Sequence, residues 1–247
     1  MLKGKRVWIT GASSGIGEAT ARRLASEGVS LVLSARREER LASLANELRL
    51  LGVTVDVEPV DVSDRAGMAA VGEKLGVAGG IDILINNAGT MPISPILAGR
   101  VDEWEQMIDV NIKGVLYAIH AVYPGMAERK NGHIVNISSI AARQTYPSAG
   151  VYAGTKHAVR AISVTLRKEA IRYGVRVTDI QPGAVATELP DSIQHEKIRD
   201  AVKANMYADG SEILKPEDIA NAIFYAITQP DYIDVSELHI RPVIQES

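Results

Sequence analysis

Apolar residues follow two alternating patterns along this chain. Short, nearly unbroken and largely β-branched runs predict strands: RVWIT (6–10), VSLVLSA (29–35), VTVDVEPV (53–60), IDILIN (81–86), HIVNIS (133–138), VRVTDI (175–180) and SELHI (236–240). Longer stretches at 15–27, 37–51, 64–77, 101–129, 150–173 and 216–228 predict helices, the last opened by Pro216 with Glu217 and Asp218 behind it. Several strands are apolar at nearly every position, as strands covered on both faces must be. Strand and helix in alternation, with connections of crossover length, predict an α/β fold: a doubly wound, mainly parallel seven-stranded sheet with helices on both faces. No repeat, low-complexity tract or linker interrupts the pattern, so residues 1–247 are expected to form a single domain. In such folds ligands bind outside the carboxyl ends of the strands, where the strand order reverses.

Five strand ends carry chemistry. TGASSGIG (10–17) follows the first strand and opens the first helix, and Gly11, Gly15 and Gly17 let backbone N–H groups approach a pyrophosphate. Glycine also serves any tight strand-to-helix turn, and the three residues between Gly11 and Gly15 depart from the usual dinucleotide fingerprint. The second strand ends LVLSARREER, with Ala35 where an acid would bind the 2′-hydroxyl of NAD. Arg36 comes next and suits a 2′-phosphate, with Arg37 beside it to stack on adenine, so NADP(H) is expected ahead of NAD(H). NNAG (86–89), NISS (136–139) and PGAVAT (182–187) end the fourth, fifth and sixth strands. Asn and Gly are ordinary turn residues singly; their recurrence at successive strand ends points to a site.

Tyr152 and Lys156 stand four apart in GVYAGTKHAV. Helix geometry makes them neighbours, and a cation there favours the phenolate. Alone, such a pair is more often a snorkelling lysine beside a half-buried tyrosine.

Taken together, TGASSGIG, NNAG, VN at 110–111, the spacing from Ser139 to Tyr152 to Lys156, and PG at 182–183 make the chain resemble a compact short-chain dehydrogenase/reductase over essentially its whole length. The resemblance implies a carbonyl–alcohol oxidoreductase using NADP(H). Tyr152 is then the acid/base and Lys156 the group that lowers its pKa and holds the nicotinamide ribose. Ser139 binds the substrate oxygen, and Asn111 holds a water in the proton relay. It also implies cofactor contacts from Gly11, Ser13, Ser14, Gly15, Ile16 and Gly17, and from Arg36, Arg37, Asp61, Val62, Asn87, Ala88 and Gly89. Tyr152, Lys156, Pro182, Gly183, Val185 and Thr187 complete that set. Substrate contacts are expected from Ser139, Gln144, Tyr146 and Tyr152. The tail DVSELHIRPVIQES lacks the glycine-rich ending of ketoacyl-carrier-protein reductases and resembles serine and 3-hydroxy acid dehydrogenases and clavaldehyde-type reductases. A general carbonyl substrate stays in front, with a small 3-hydroxy acid or serine-like substrate as the alternative.

Composition narrows this further. With no cysteine, disulfides and thiolate chemistry are excluded, which fits a reducing compartment. A formal charge of −3 gives no reason to expect nucleic acid. No apolar run approaches a membrane span, so a cytoplasmic protein is expected. His120, His133, His157, His195 and His239 show no ligand spacing, and no metal is expected. A sugar-nucleotide epimerase or dehydratase would need a larger substrate domain; a non-catalytic NADP sensor would tend to lose the tyrosine or lysine. Residues 188–212 mix charge with scattered Ile, Val and Met, which suits either a substrate lid or a plain helical excursion. The long helices 101–129 and 150–173 are those that the family pairs between subunits, which implies a homotetramer with two-fold axes.

Overall fold

The computed structural model describes residues 2–206 and 212–245. Seven strands form one sheet: β1 (Arg6–Thr10), β2 (Ser30–Ser34), β3 (Val55–Val57), β4 (Ile83–Asn86), β5 (Gly132–Ile137), β6 (Val175–Pro182) and β7 (Glu237–Ile240). Their order is β3-β2-β1-β4-β5-β6-β7, and every pairing is parallel rather than merely most of them. The order reverses between β1 and β4, which lie side by side with Trp8 opposite Leu84. Among the described residues eight α-helices surround the sheet: α1 (Gly15–Ala25), α2 (Glu38–Arg49), α3 (Arg65–Val77), α4 (Val101–Ile108), α5 (Gly114–Arg129), α6 (Gly150–Ala170), α7 (Glu196–Met206) and α8 (Pro216–Ile227).

The alternation of side chains along each strand divides the core in two. On one face Ile9, Leu33, Ile85 and Val135 pack against Leu24 of α1, Leu41 of α2 and Ile223 of α8. On the other, Trp8, Leu84, Ile134 and Val177 meet Met68 of α3, Val122 of α5 and Val159 of α6. The closeness of α3 to α5 depends on Gly72, where an added Cβ would lie 2.6 Å from that of Ala121. A third, smaller cluster of Ile93, Met107, Ala149, Tyr152 and Ile193 lies at the carboxyl end of the sheet, with Ile198 and Val202 of α7 against it.

Three elements differ from the sequence pattern. The strand expected over 53–60 is regular only over Val55–Val57, although the N–H groups of Glu58 and Val60 still donate to the Leu33 and Ala35 carbonyls on either side of Pro59. The sixth strand instead runs on to Pro182, carrying its pairing with β7 to the rim of the site. The helix expected over 101–129 is interrupted by a π turn at Asp109–Lys113, which carries the buried Asn111. Within 188–212, a short 3-10 turn (Leu189–Ser192) precedes α7, and 207–211 lie outside the described residues.

Trp8 is fully buried, and its indole N–H donates to the Ser34 hydroxyl at 2.8 Å, joining β1 to β2 within the core. Trp8→Phe removes both volume and donor, leaving that hydroxyl unpartnered. Urea unfolding followed by circular dichroism is expected to show a loss of about 2–4 kcal/mol with an unchanged m-value.

Candidate active site

The glycine-rich loop begins where β1 ends. Gly11 and Gly15 adopt φ of 65° and 55°, a region that favours glycine. A Cβ on Gly11 would lie 2.8 Å from the Ala88 backbone, so the loop seats directly on the end of β4. Gly17 lies behind the loop, where a Cβ would come within 2.4 Å of the Gly11 carbonyl oxygen. The Asn87 amide donates to the carbonyls of Thr10 (3.0 Å) and Gly11 (3.1 Å), and the Thr10 hydroxyl accepts from the backbone N–H groups of Asn87 and Ala88. These bonds fix the loop so that the start of α1 opens into the cleft at the point of strand reversal.

That cleft encloses about 1080 Å³. At one end it is bounded by Ser13, Ser14, Gly15 and Ile16, by Arg36 and Arg37, and by Asp61 and Val62. Asn87, Ala88 and Gly89 line its middle, with Pro182, Gly183, Val185 and Thr187 opposite. Arg36 is exposed, 3.8 Å from the Asp61 carboxylate, whereas Arg37 folds inward to donate to the hydroxyls of Ser13 (3.1 Å) and Ser14 (2.5 Å). Gly15 packs against Thr187, whose Cγ2 would lie 3.1 Å from an added Cβ, so a larger residue would crowd the cleft wall there. The adjoining part of the cleft, with the first N–H groups of α1 at its edge, fits the pyrophosphate of a dinucleotide.

At the other end Tyr152, buried on α6, stands beside Ser139 from the loop after β5, whose hydroxyl acts to lower the phenol's pKa. Ser139 is itself held by the Ala141 N–H, which donates to its hydroxyl at 3.1 Å. One turn along α6, Lys156 donates to the Ile137 carbonyl at 3.0 Å, with Nζ 5.8 Å from the Tyr152 ring centroid. The wide π turn directs the Asn111 side chain inward: Oδ1 accepts from the Thr90 N–H (2.9 Å), and Nδ2 donates to the Thr90 carbonyl (3.0 Å) and the Thr155 hydroxyl (3.1 Å). Thr155 in turn donates to the Tyr152 carbonyl at 2.7 Å. Asn111 Oδ1 and Lys156 Nζ both face the bare Gly89, at 3.5 and 3.7 Å from where its Cβ would be.

The structure thus gathers nearly all the expected residues around one cleft. Gly17 and Asn111 stand behind its wall. Gln144 is not in the lining either; it donates to the Tyr146 hydroxyl, which is. Arg40, Glu188 and Gln245 line the cleft without having been expected, and Asp179 lies fully buried behind it. Arg40 sits one helical turn beyond Arg36 and Arg37, a spacing the sequence displays; Glu188, Asp179 and Gln245 arrive through long-range packing that no local pattern signals.

A family model described as short chain dehydrogenase matches residues 5–198. The chain belongs to that family, and it is an oxidoreductase. An uncharacterised oxidoreductase of Staphylococcus saprophyticus is 45% identical over 246 residues, covering 99% of this chain and 98% of that protein. A serine dehydrogenase solved in its closed form with NADP+ is 38% identical, with a TM-score of 0.89 over 98% of this chain and 96% of the other. An alcohol dehydrogenase from the archaeon Thermococcus sibiricus, complexed with 5-hydroxy-NADP, is 32% identical, with a TM-score of 0.86 and 98% of each chain covered.

In this short-chain dehydrogenase, burial opposes both charges at the tyrosine–lysine pair. Burial pushes the Tyr152 phenol up to about 12 against the effect of the Ser139 hydroxyl, and brings Lys156 down to about 8 against the pull of the Asp179 carboxylate. Burial also raises Asp179, against hydrogen bonds from Ser138 and Gln181. The folded state therefore releases the Lys156 proton near pH 8, whereas the unfolded chain keeps it to about 10.5. Between these values the unfolded state binds more protons, so this lysine's contribution to stability improves as pH rises. The stability of wild type relative to Lys156→Met is expected to increase by roughly 2 kcal/mol from pH 7.5 to 9.5, read by urea unfolding at each pH. A difference that does not vary with pH would show an unshifted lysine.

Proposed function

We propose that the chain interconverts a carbonyl compound and an alcohol by hydride transfer with NADP(H), with Tyr152 as the acid/base. The observation that carries this reading is that Ser139, Tyr152 and Lys156 line one end of a dinucleotide-sized cleft, with Lys156 one turn from the tyrosine on α6. The nicotinamide supplies or accepts the hydride when bound. NADP(H) is favoured by Arg36, Arg37 and Arg40 at the ribose end, by the absence of an acid at Ala35, and by the relatives crystallised with NADP+ or its analogue.

Ser139 and the Tyr152 hydroxyl together present donors to one substrate oxygen. Charge developing on that oxygen is stabilised by the Ser139 hydroxyl, already oriented by the Ala141 N–H. Tyr152 delivers a proton to the same oxygen during reduction. Because burial holds the phenol protonated, the protein alone is set for reduction; oxidation needs additional positive charge beside the ring, from Lys156 and an oxidised nicotinamide. Lys156 also extends toward the ribose, and the gap over Gly89 between Lys156 and Asn111 leaves room for a water that returns the proton to Tyr152.

At the substrate end the described lining is Ile93, Gln106, Ile140, Tyr146, Ala149 and Val202 among others, with no cation besides Lys156. This favours a neutral carbonyl substrate. The similarity to a serine dehydrogenase keeps a small hydroxy acid as the second reading. NADPH oxidation with aldehydes, ketones, 3-oxo acids and β-diketones separates the two, and Tyr152→Phe is expected to lower kcat by about 10²–10⁴-fold with any accepted substrate. Tight NADPH binding without turnover across the panel would instead favour a sensor. The segment 188–206 serves as the lid in this scheme, since Ile198, Ala201 and Val202 of α7 line the cleft.

The partners proposed are a small-molecule substrate and further copies of the chain. Val101, Ile108 and Leu116 lie exposed along α4 and α5, an apolar surface that suits subunit pairing in a homotetramer. Light scattering is expected to give four times the chain mass of 26.5 kDa; a monomer mass at working concentration would remove this assignment.

A further inference from the structure

The ribose end of the cleft contains an anion supplied by the protein. Glu188 follows Thr187 in the loop after β6, on the wall opposite α2. Its Oε2 accepts from Arg37 Nη1 at 2.6 Å, and Arg40 Nη1 donates to Oε1 at 2.7 Å and to Oε2 at 3.0 Å. With Nη2 on Ser14 and Nε on Ser13, all three guanidinium nitrogens of Arg37 are engaged. One carboxylate thus bridges the two inward arginines across the cleft, while Arg36 turns outward toward Asp61. The two arginines hold the Glu188 carboxyl below its ordinary range, so it is ionised at neutral pH.

A carboxylate bridging two guanidinium groups has the charge and planar acceptor geometry by which arginine also takes a phosphate. Neither arginine can give the same N–H groups to both. We propose that Glu188 is a resident counter-ion of the 2′-phosphate subsite: it competes with the 2′-phosphate of NADP(H) for Arg37 and Arg40, and thereby sets how strongly the enzyme prefers NADP(H) to NAD(H). This rests on the reading above that the arginines at the end of β2 receive that phosphate. Glu188 also adjoins the lid. The turn Leu189–Ser192 follows it directly, and the Ser192 hydroxyl accepts from the Met91 N–H at 3.0 Å. Exchange of the carboxylate for a phosphate therefore frees the first residue of the segment that covers Tyr152.

The test titrates the full-length protein with NADP+, NAD+, 2′,5′-ADP and 5′-AMP by calorimetry at 0.15 M salt. In Glu188→Gln, NADP+ and 2′,5′-ADP are expected to bind about three- to tenfold tighter, the scale of one or two half-exposed ion pairs released from competition. NAD+ and 5′-AMP are expected to change less than twofold. Glu188→Ala should behave alike, and thermal melts confirm that both variants fold. Equal tightening of all four ligands would overturn the proposal in favour of a general field effect. Unchanged or weaker NADP+ binding would overturn it too, making Glu188 a support that orients the arginines. Arg37→Gln separates the proposal from the reading beneath it. If Arg37→Gln keeps the wild-type NADP+/NAD+ ratio, the 2′-phosphate does not reach Arg37 and the competition fails; the reading beneath it fails as well only when Arg36→Gln and Arg40→Gln also keep that ratio. If Arg37→Gln loses NADP+ preference while Glu188→Gln behaves as wild type, only the competition fails.

Discussion

The reversal of strand order between β1 and β4 is the constraint on which the rest depends. Right-handed crossovers carry the chain outward in both directions from these central strands, so helices leave on opposite faces and the two carboxyl ends stand open side by side. The glycine loop, the Asn87 amide and the start of α1 all use that opening, and the cleft runs along it from the arginines between β2 and the first turn of α2 to the tyrosine of α6. A cleft built this way is made of backbone as much as of side chains. Its tightest tolerances are accordingly at glycines, where Gly11 meets Ala88 and Gly17 meets the Gly11 carbonyl.

Within the cleft, burial works against ionisation, and polar contacts partly offset it. Lys156 lies out of water with a carbonyl and the Asp179 carboxylate for company, and the Tyr152 phenol has a hydroxyl rather than a cation to oppose the effect of burial. The pair is therefore less charged than its spacing alone suggests. Burial leaves the phenol protonated in the protein alone, which puts the protein's own preference on the side of proton donation.

The architecture was largely legible because each level of the pattern agrees with the next. Apolar runs of strand length alternate with amphipathic stretches of helix length, and seven such runs became seven strands. One misfit has a plain cause, since pairing with β7 extends β6. Residues sharing the cleft wall were legible where they sit on short motifs just after strands. Arg40 was within reach, being one turn from Arg37. Glu188, Asp179 and Gln245 were not, since the cleft partners that matter here, Arg37 and Arg40, Lys156, and Ala184, each lie more than 20 residues away in the chain. Asn111 shows the opposite case: its motif stood out, but the π turn that points it inward leaves no sign in residue type.

That turn makes chain length itself a determinant of the site. A helix from 101 to 129 with one residue fewer would close into an unbroken ladder, rotating the Asn111 amide by about 100° relative to Thr90 and Thr155. The outer face of α4 and α5 can change its residues freely as far as the cleft is concerned. It cannot change their number. An insertion or deletion there, in a surface helix well removed from the arginines and glycines, would reach Tyr152 through Thr155, and families of such proteins can be expected to vary in the loops around this helix before they vary in its count.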